Sequence, residues 1–246
     1  MNTKQEKRSD SLQGVADTLY IPLEARIYAS KRFPEYFYDE KALALEAYLP
    51  ASDIKSQSSE YSMLASAARY YQMDKMVNAF IVKHSRCNIV YLGAGLETAY
   101  FRLEGARRKA IFYEVDLPEV MAARCSILGE NENEVLIGAN LFDLSWTDGI
   151  NTAAPSLLVA SGVFQYFKEE DVTRFVTAVR SIFTNGELIF DATNESGIRY
   201  ANSYVQKTGN INAQMHFYVN DGLEFAQSVA AEMLEERVFF LRQECF

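Results

Sequence analysis

The chain has 246 residues, of which 49% are apolar, so it can bury a full hydrophobic core, and a single α/β domain is the natural expectation. The formal net charge of −9 argues against a nucleic-acid ligand, because no basic face can dominate such a balance. Cys87, Cys125 and Cys245 are too few and too widely spaced for a disulfide framework or a zinc site. With no apolar signal core and no apolar window long enough for a membrane span, we expect a cytoplasmic protein without a metal.

The first 85 residues predict a helical cap that precedes the first strand. Residues 1–13 have the composition of a flexible tail, and a helix is predicted over 14–30 with Pro22 interrupting it. A second helix is predicted over 38–50. The polar, Ser-rich stretch 51–60 predicts a loop, after which helical periodicity resumes at Tyr61.

From Asn88 onward the pattern alternates between strands and helices. Strands are predicted at about 88–93, 110–115, 134–138, 156–161 and 187–191, with the clearest helix over 168–183. Such alternation predicts a mostly parallel sheet with both faces covered. A polar and aromatic insertion follows over 194–221, and a helix over about 222–235 and a strand over Val238–Leu241 close the chain.

These elements predict one domain over 14–246. Its parts are a helical cap over 14–85, a cofactor-binding core over 86–193, a substrate-side insertion over 194–221 and a C-terminal helix and strand over 222–246.

The most informative stretch lies where the first strand ends, at Gly93-Ala94-Gly95. Two positions without Cβ atoms let a ligand approach the backbone, and Asp116, which ends the next strand, can accept hydrogen bonds from ribose hydroxyls. The third small residue of a dinucleotide fingerprint is missing, since Thr98 stands there behind Glu97. A negative side chain at that place suits the cationic S-adenosylmethionine better than a pyrophosphate. A plain tight turn is the alternative.

Several motifs in one order make the chain resemble the leucine carboxyl methyltransferase superfamily, and within it the tetracenomycin-type polyketide O-methyltransferases. The resemblance covers roughly residues 14–241 and implies a class I methyltransferase with a Rossmann-like sheet and S-adenosylmethionine as methyl donor. The motifs are Thr18–Arg26, Ala68-Arg69 with Asp74, Leu92–Thr98 with Arg102-Leu103, Glu114–Pro118, Asn140–Asp143 with Trp146, and Ser161–Phe167.

The resemblance also implies roles for individual residues on the donor side. Arg69 grips the donor carboxylate from the cap, Gly93, Ala94 and Gly95 line its methionine moiety, and Asp116 holds the ribose with Glu114 sharing the task. Asn140-Leu141 stands at the adenine position, and Ser161 is a further donor contact. The alternatives are a surface arginine at Arg69, a helix cap at Asp116 and a structural loop carboxylate at Asp143.

The chain departs from the family pattern at four places. Asn140 replaces an aspartate, Ser161 replaces the glutamate of carboxyl-methylating relatives, and Ala99 replaces a basic or polar residue. The chain also stops at Phe246, where relatives continue, so a final sheet strand is expected to be missing. The bare edge at Val238–Leu241 invites association, so we expect it to be covered by another copy of the chain in a homo-oligomer, by the 194–221 segment, or by nothing, in which case the isolated protein is poorly soluble and unstable.

The acceptor side is less clearly marked. Loops at the carboxyl edge of the sheet and the 194–221 insertion should face the transferred methyl group. The candidates for contacts with a small-molecule acceptor are Tyr166, Arg199 and His216, together with Tyr200 and Tyr218. A packed or capped histidine is the alternative at His216.

Three hypotheses follow for function. The first is an S-adenosylmethionine-dependent O-methyltransferase that acts on a hydroxyl or carboxyl group of a small, polyketide-like molecule. The second is a non-catalytic or truncated methyltransferase-like protein that binds the donor, motivated by Ala99, Asn140, Ser161 and the early stop. The third is an NAD-linked oxidoreductase, which rests only on the Gly-x-Gly turn and the acidic strand end.

Overall fold

The computed structural model of the chain describes residues 16–49, 60–208 and 214–239. Its centre is a parallel sheet of five strands in the order β3-β2-β1-β4-β5. The strands are β1 (Cys87–Leu92), β2 (Ala110–Asp116), β3 (Glu134–Gly138), β4 (Ser156–Ala160) and β5 (Gly186–Phe190). All five predicted strands are therefore confirmed, and their parallel arrangement brings their carboxyl ends to one edge of the sheet.

Helices cover both faces of this sheet. In chain order they are α1 (Ala16–Arg32), α2 (Glu40–Ala44), α3 (Glu60–Lys83), α4 (Ala99–Arg102), α5 (Pro118–Leu128), α6 (Glu169–Ile182), α7 (Glu195–Thr208) and α8 (Gly222–Ser228). Short 3₁₀ turns lie at Glu46–Tyr48, Arg107–Lys109, Leu144–Gly149 and Phe164–Tyr166. Among the helices of the described residues, none is long and apolar enough to cross a membrane.

The central strand β1 shows how the core is divided. Ile89 and Tyr91 face one helical layer, while Val90 and Leu92 face the other. The first layer contains Val77 and Ile81 of α3 with Val120 and Met121 of α5, and the second contains Val172, Phe175, Val176 and Val179 of α6. Because both faces are apolar, β1 is buried along its whole length.

The helical cap consists of α1, α2 and α3, and α1 packs against α3. Pro22 lies inside α1 and does not interrupt it, so that detail of the prediction is wrong. The single helix predicted over 38–50 is broken at Leu45 into α2 and a 3₁₀ turn. The predicted tail over 1–13, Pro50 and the predicted loop up to Ser59 lie outside the described residues.

Two predictions near the C-terminus are wrong. The helix predicted over 222–235 ends at Ser228, because Ala230 takes a left-handed conformation with a φ of 51° that stops the helix. Val238 and Phe239 lie in no strand, and Val238 is 61% exposed. Phe240 and Leu241 lie outside the described residues. The homo-oligomer expected through this edge stays a prediction.

The segment that was predicted as an insertion is largely helical. Helix α7 occupies Glu195–Thr208, and Ile198 near its start is buried. After it, Phe217 packs against Phe164 and Phe190, so the segment is fastened to the sheet by aromatic contacts.

Glu114, in the middle of β2, is fully buried between the sheet and α5. Its carboxylate lies 3.3 Å from the guanidinium of Arg124, which is also paired with Glu134 at 2.8 Å. Burial raises the pKa of Glu114 from 4.5 to about 8, and Arg124 opposes this rise only in part because it is shared with Glu134. Glu114 is therefore mostly protonated at neutral pH.

We expect this buried acid to make stability depend on pH. Between about pH 5 and pH 8 the folded protein holds a proton that the unfolded chain releases, so the free energy of unfolding falls as the pH rises through this range. Glu114→Gln removes that titration. In urea unfolding, its free energy of unfolding relative to wild type should rise by at least about 1 kcal/mol between pH 5 and pH 8.

Glu119→Gln, which changes an exposed carboxylate on α5, serves as the control and should follow the wild-type curve. A Glu114→Gln variant whose stability runs parallel to that of wild type across this range would contradict the assignment.

Candidate functional site

The turn after β1 is built on two glycines that tolerate no side chain. Gly93 and Gly95 have φ values of 64° and 48°, in the left-handed region that favours glycine. A Cβ atom at Gly93 would lie 2.7 Å from Val163, and one at Gly95 would lie 2.9 Å from Leu19. The N–H groups of Gly93 and Ala94 both donate to the carbonyl of Val115, which ties the turn to β2. Packing alone therefore accounts for the two glycines, which is what a plain tight turn requires.

A cavity of about 410 Å³ nevertheless opens directly at this turn. It lies at the carboxyl edge of the sheet, between the ends of β1, β2 and β4 and the helices α1 and α3 of the cap. Its walls include the whole turn from Gly93 to Glu97, together with Arg69, Tyr91, Asp116, Ser161, Gly162, Gln165, Tyr166 and Met215. Ligands of open parallel sheets bind at this edge.

Asp116 lies at the cavity, while Glu114 does not. The two oxygens of Asp116 accept hydrogen bonds from the N–H of Gly95 at 2.8 Å and that of Leu117 at 2.7 Å. Burial raises the pKa of Asp116, although these backbone donors oppose the rise. Each carboxylate oxygen keeps a further lone pair, so Asp116 can still accept from a ligand hydroxyl. Glu114 lies two residues deeper and is occupied by Arg124, so it is not brought to the site.

Arg69, at the cavity wall on α3, is held by Asp191, the residue directly after β5. Its Nη1 atom lies 3.1 Å from Oδ2 of Asp191, and both side chains are largely buried, with 13% and 12% of their surface exposed. The guanidinium also lies over the ring of Tyr70, 5.2 Å from its centre. Although burial alone would lower the pKa of Arg69, the charge of Asp191 raises it, so the side chain stays charged. Arg69 is thus a site residue and not a surface arginine.

Four buried polar atoms from residues that line the cavity lack a hydrogen-bond partner within the described residues, and one of them, Nε of Arg26, still has Asp39 as an ion-pair partner. The other three have no such partner among these residues. They are Nε of Arg69, Oγ of Ser161 and the hydroxyl oxygen of Tyr91. Buried polar groups are rarely left unpaired, because each lost hydrogen bond costs about 1–3 kcal/mol. A donor with an amino-acid end, a ribose and a base offers a carboxylate for Arg69 and hydroxyls for Asp116. The residues present therefore fit S-adenosylmethionine.

A buried group of five charged residues holds the cap against the glycine turn. The group, here the Arg102 cluster, consists of Arg26, Asp39, Asp74, Glu97 and Arg102. Arg102 pairs with Asp39 at 2.9 Å, with Asp74 through Nε at 2.7 Å, and with Glu97 at 2.9 Å. Arg26 pairs with Asp39 at 3.2 Å and donates to the carbonyl of Leu96 at 2.6 Å. With two positive and three negative charges, the cluster gives this wall an excess of negative charge.

Glu97 belongs to this cluster and also lines the cavity. Burial alone would raise its pKa, but Arg102, Arg26 and the N–H of Thr98 outweigh burial and lower the pKa to about 2. Its carboxylate accepts from the N–H groups of Thr98 and Ala99 at the start of α4. The side chain that suggested a cationic ligand is therefore ionised, but its partners belong to the protein.

The predicted adenine position lies outside the cavity walls. Asn140 is exposed, and its side-chain oxygen accepts from the N–H of Phe142 at 3.0 Å. Leu141 packs against the second helical layer, and its carbonyl accepts from the indole of Trp146. Asp143 accepts a hydrogen bond from the N–H of Ser145 at 3.2 Å, as a structural carboxylate of the loop does. These residues shape the loop after β3, and their contact with an adenine stays a prediction.

Of the acceptor candidates, only Tyr166 lines the cavity. Arg199 is exposed on α7, where it pairs with Glu195 at 3.6 Å, and Tyr200 beside it is 74% exposed. The side chain of His216 is exposed, and its backbone N–H donates to the carbonyl of Gln165. The structure therefore does not bring Arg199, Tyr200 or His216 to the site, and Tyr218, which is 37% exposed, is also absent from its walls.

Sequence reasoning missed four residues of this region: Tyr91, Gln165, Asp191 and Met215. Asp191 carries a signal similar to the one that singled out Asp116, since Asp116 is the last residue of β2 and Asp191 directly follows β5. Tyr91 lies within a strand that is buried along its whole length, so nothing in the pattern separates it from the core.

Comparisons with known proteins agree with the fold. The model of the leucine carboxyl methyltransferase family matches residues 23–180. The tetracenomycin polyketide synthesis O-methyltransferase TcmP of Streptomyces glaucescens is 25% identical over 190 residues, which are 77% of this chain and 70% of that protein. Human tRNA wybutosine-synthesizing protein 4 is 24% identical over 178 residues, covering 60% of this chain and 25% of that protein.

Two solved structures share the architecture. A DUF574 family protein from Streptomyces avermitilis has a TM-score of 0.54 at 16% identity, covering 82% of this chain and 80% of that chain. A candidate methyltransferase from Thermobifida fusca has the same TM-score and identity, with 79% and 74% covered. At this identity the likeness concerns the fold alone, which is that of the class I methyltransferases.

The Arg102 cluster generates a prediction for stability. Arg102→Met keeps the length of the side chain but leaves the three carboxylates of the cluster with Arg26 as its one remaining cation. We expect the free energy of unfolding to fall by about 3–5 kcal/mol, because breaking a buried ion pair leaves uncompensated charge. Thermal and urea unfolding measure the change.

Arg107→Met is the matched control, since the ion pair of Arg107 is with the exposed Glu104 at 3.4 Å and its guanidinium otherwise lies over the ring of Tyr100, and we expect a loss of about 1 kcal/mol or less. Equal stability losses in the two variants would show that the cluster does not hold the cap.

Proposed function

The chain belongs to the leucine carboxyl methyltransferase family, and we propose that it is an S-adenosylmethionine-dependent O-methyltransferase that acts on a small molecule. The observation that carries this proposal is the cavity at the Gly93–Gly95 turn, whose walls include both Arg69 of the cap and Asp116 at the end of β2. A cation on the cap and a carboxylate at the end of β2 complement the two ends of one donor, its amino-acid carboxylate and its ribose. TcmP, at 25% identity, is the relative that suggests oxygen as the acceptor atom.

The protein's own contribution is to align the methyl donor with the acceptor and to enclose both. Bound in this cavity, the donor supplies an electrophilic methyl group on a sulfonium. Arg69 would bind its carboxylate and Asp116 its ribose hydroxyls, while Ser161 and Tyr91 would offer their unpaired hydroxyls to the donor's polar atoms. Methyl transfer is an in-line displacement, so fixed orientation and exclusion of water supply much of the rate. The cap helices α1 and α3 close the cavity on the side away from the sheet.

The acceptor would enter beside Tyr166, Gln165 and Met215. Burial raises the pKa of Tyr166, with the charge of Arg69 opposing the rise, so its hydroxyl stays protonated at neutral pH. Tyr166 therefore suits the role of a hydrogen-bond donor to an acceptor oxygen better than that of a base. A carboxylate acceptor needs no base, whereas a phenol is helped by one. Both acceptor classes belong in the test.

The first test is calorimetric titration with S-adenosylhomocysteine, the product form of the donor. Wild-type protein should bind it, and Arg69→Ala should weaken binding by about 10- to 100-fold, which corresponds to the 1.5–3 kcal/mol of a charge-assisted hydrogen bond. Arg174→Ala removes an exposed arginine on α6 that pairs only with Asp171, so it should bind like wild type. A folded wild-type protein that binds neither S-adenosylmethionine nor S-adenosylhomocysteine would refute the proposal.

Transfer itself is tested by incubating the protein with labelled S-adenosylmethionine and a panel of phenols, polyketide-like hydroxyl compounds and carboxylic acids. We expect label in at least one of these oxygen compounds. Donor binding without transfer to any acceptor would favour the second hypothesis, a methyltransferase-like binding protein that has lost turnover.

A further inference from the structure

Asp191 joins the two sides of the cavity mouth through its two carboxylate oxygens. Oδ1 accepts from the N–H of Gly162 at 2.5 Å, and Oδ2 pairs with Nη1 of Arg69 at 3.1 Å. Gly162 follows β4, Arg69 belongs to α3 of the cap, and Asp191 follows β5. One side chain thus connects the sheet edge to the helix that carries the predicted carboxylate-binding arginine.

Gly162 and Arg69 also fit against each other. Gly162 has a φ of 72°, and a Cβ atom there would lie 3.2 Å from Nη1 of Arg69. The guanidinium therefore rests on bare backbone, and the bond from Gly162 to Asp191 holds that backbone in place. Asp191 fixes both the arginine and the surface beneath it.

The hydrogen-bond partners of the Arg69 guanidinium are Asp191 and Tyr70, and its Nε atom remains for a ligand. Nη1 is taken by Asp191, while Nε has no partner within the described residues. Arg102 shows how an arginine held in this way is used elsewhere in the protein. Its Nη1 donates to Asp39, and its Nε and Nη2 atoms together bind both oxygens of Asp74, at 2.7 and 2.9 Å. An arginine anchored through Nη1 can thus present its Nε edge to a second carboxylate.

We infer that Asp191 is a positioning residue for the carboxylate end of the methyl donor and acts through Arg69. This inference rests on the proposed function, because it takes the donor to be the ligand of the cavity. Asp191 does not line the cavity, so its effect passes through the guanidinium that it anchors. The negative charge of Asp191 repels the carboxylate of the donor, but in this arrangement the donor carboxylate binds at Nε of Arg69 while Asp191 is at Nη1. Without Asp191 a long, flexible side chain has to be ordered on binding.

Asp191→Asn separates this role from a general structural one. The amide keeps the shape of the side chain and one oxygen for the N–H of Gly162, but its NH₂ group cannot accept from Arg69. Glu187→Gln is the matched control, since Glu187 lies on β5, the strand that Asp191 follows, and pairs with Lys83 at the surface. Two ligands are titrated into each variant: S-adenosylhomocysteine, which has the amino-acid end, and 5′-methylthioadenosine, which lacks it.

Asp191→Asn should weaken the affinity for S-adenosylhomocysteine at least about 10-fold, as expected for a disturbed charge-assisted contact. The affinity for 5′-methylthioadenosine should change less than about 2-fold. Adding Asp191→Asn to Arg69→Ala should cause no further loss, because both substitutions remove the same interaction. Glu187→Gln should match wild type for both ligands.

The inference fails if Asp191→Asn binds S-adenosylhomocysteine like wild type, if both ligands weaken equally, or if the losses of the two substitutions simply add. In each of these cases wild type still binds S-adenosylhomocysteine and the proposed function stands. If wild type does not bind it, both the inference and the proposed function fail.

Discussion

A buried arginine joined to three carboxylates is the interaction on which the rest of the site depends. Arg102 pairs with Glu97 in the glycine turn, with Asp39 before α2 and with Asp74 on α3. Because no side chain of this group is more than 18% exposed, each charge needs its partners. The cap is therefore held at a fixed distance from the sheet, and the space left between them is the cavity.

Two further arginines hold the same turn by its backbone. Arg26 of α1 donates to the carbonyl of Leu96, while Arg124 of α5 donates to the carbonyls of Gly95 and Glu97 at 3.1 and 2.7 Å. The turn is thus bound from the cap on one side and from the sheet helix on the other. Such support orients backbone N–H groups before any ligand arrives, which lowers the entropy cost of binding. Asp116 takes one of these groups, that of Gly95, and so links the turn to the predicted ribose position.

The sequence allowed the core of this arrangement to be predicted, because local patterns determine it. Five apolar runs became the five strands, and Gly93, Gly95 and Asp116 stand where strand ends require a turn and leave a carboxylate. Arg69 was reached through the family resemblance, since nothing local distinguishes it from a surface arginine. The ribose contact predicted for Glu114 rested on side-chain alternation, which gives the face of a strand that a residue is on but not how far it lies from the edge of the sheet. Glu114 lies far enough inside to pair with Arg124. Asp191 was missed because its partners lie 122 and 29 residues away along the chain.

The central claim is that the space between the cap and the Gly93–Gly95 turn is the binding site of the methyl donor. A crystal structure of the protein grown with S-adenosylhomocysteine tests this most directly. We expect electron density for the ligand in the cavity, with its carboxylate bound by Arg69 and its ribose hydroxyls bound by Asp116. Density for the ligand elsewhere on the protein, or a bound pose in which the amino-acid end does not contact Arg69, would contradict it.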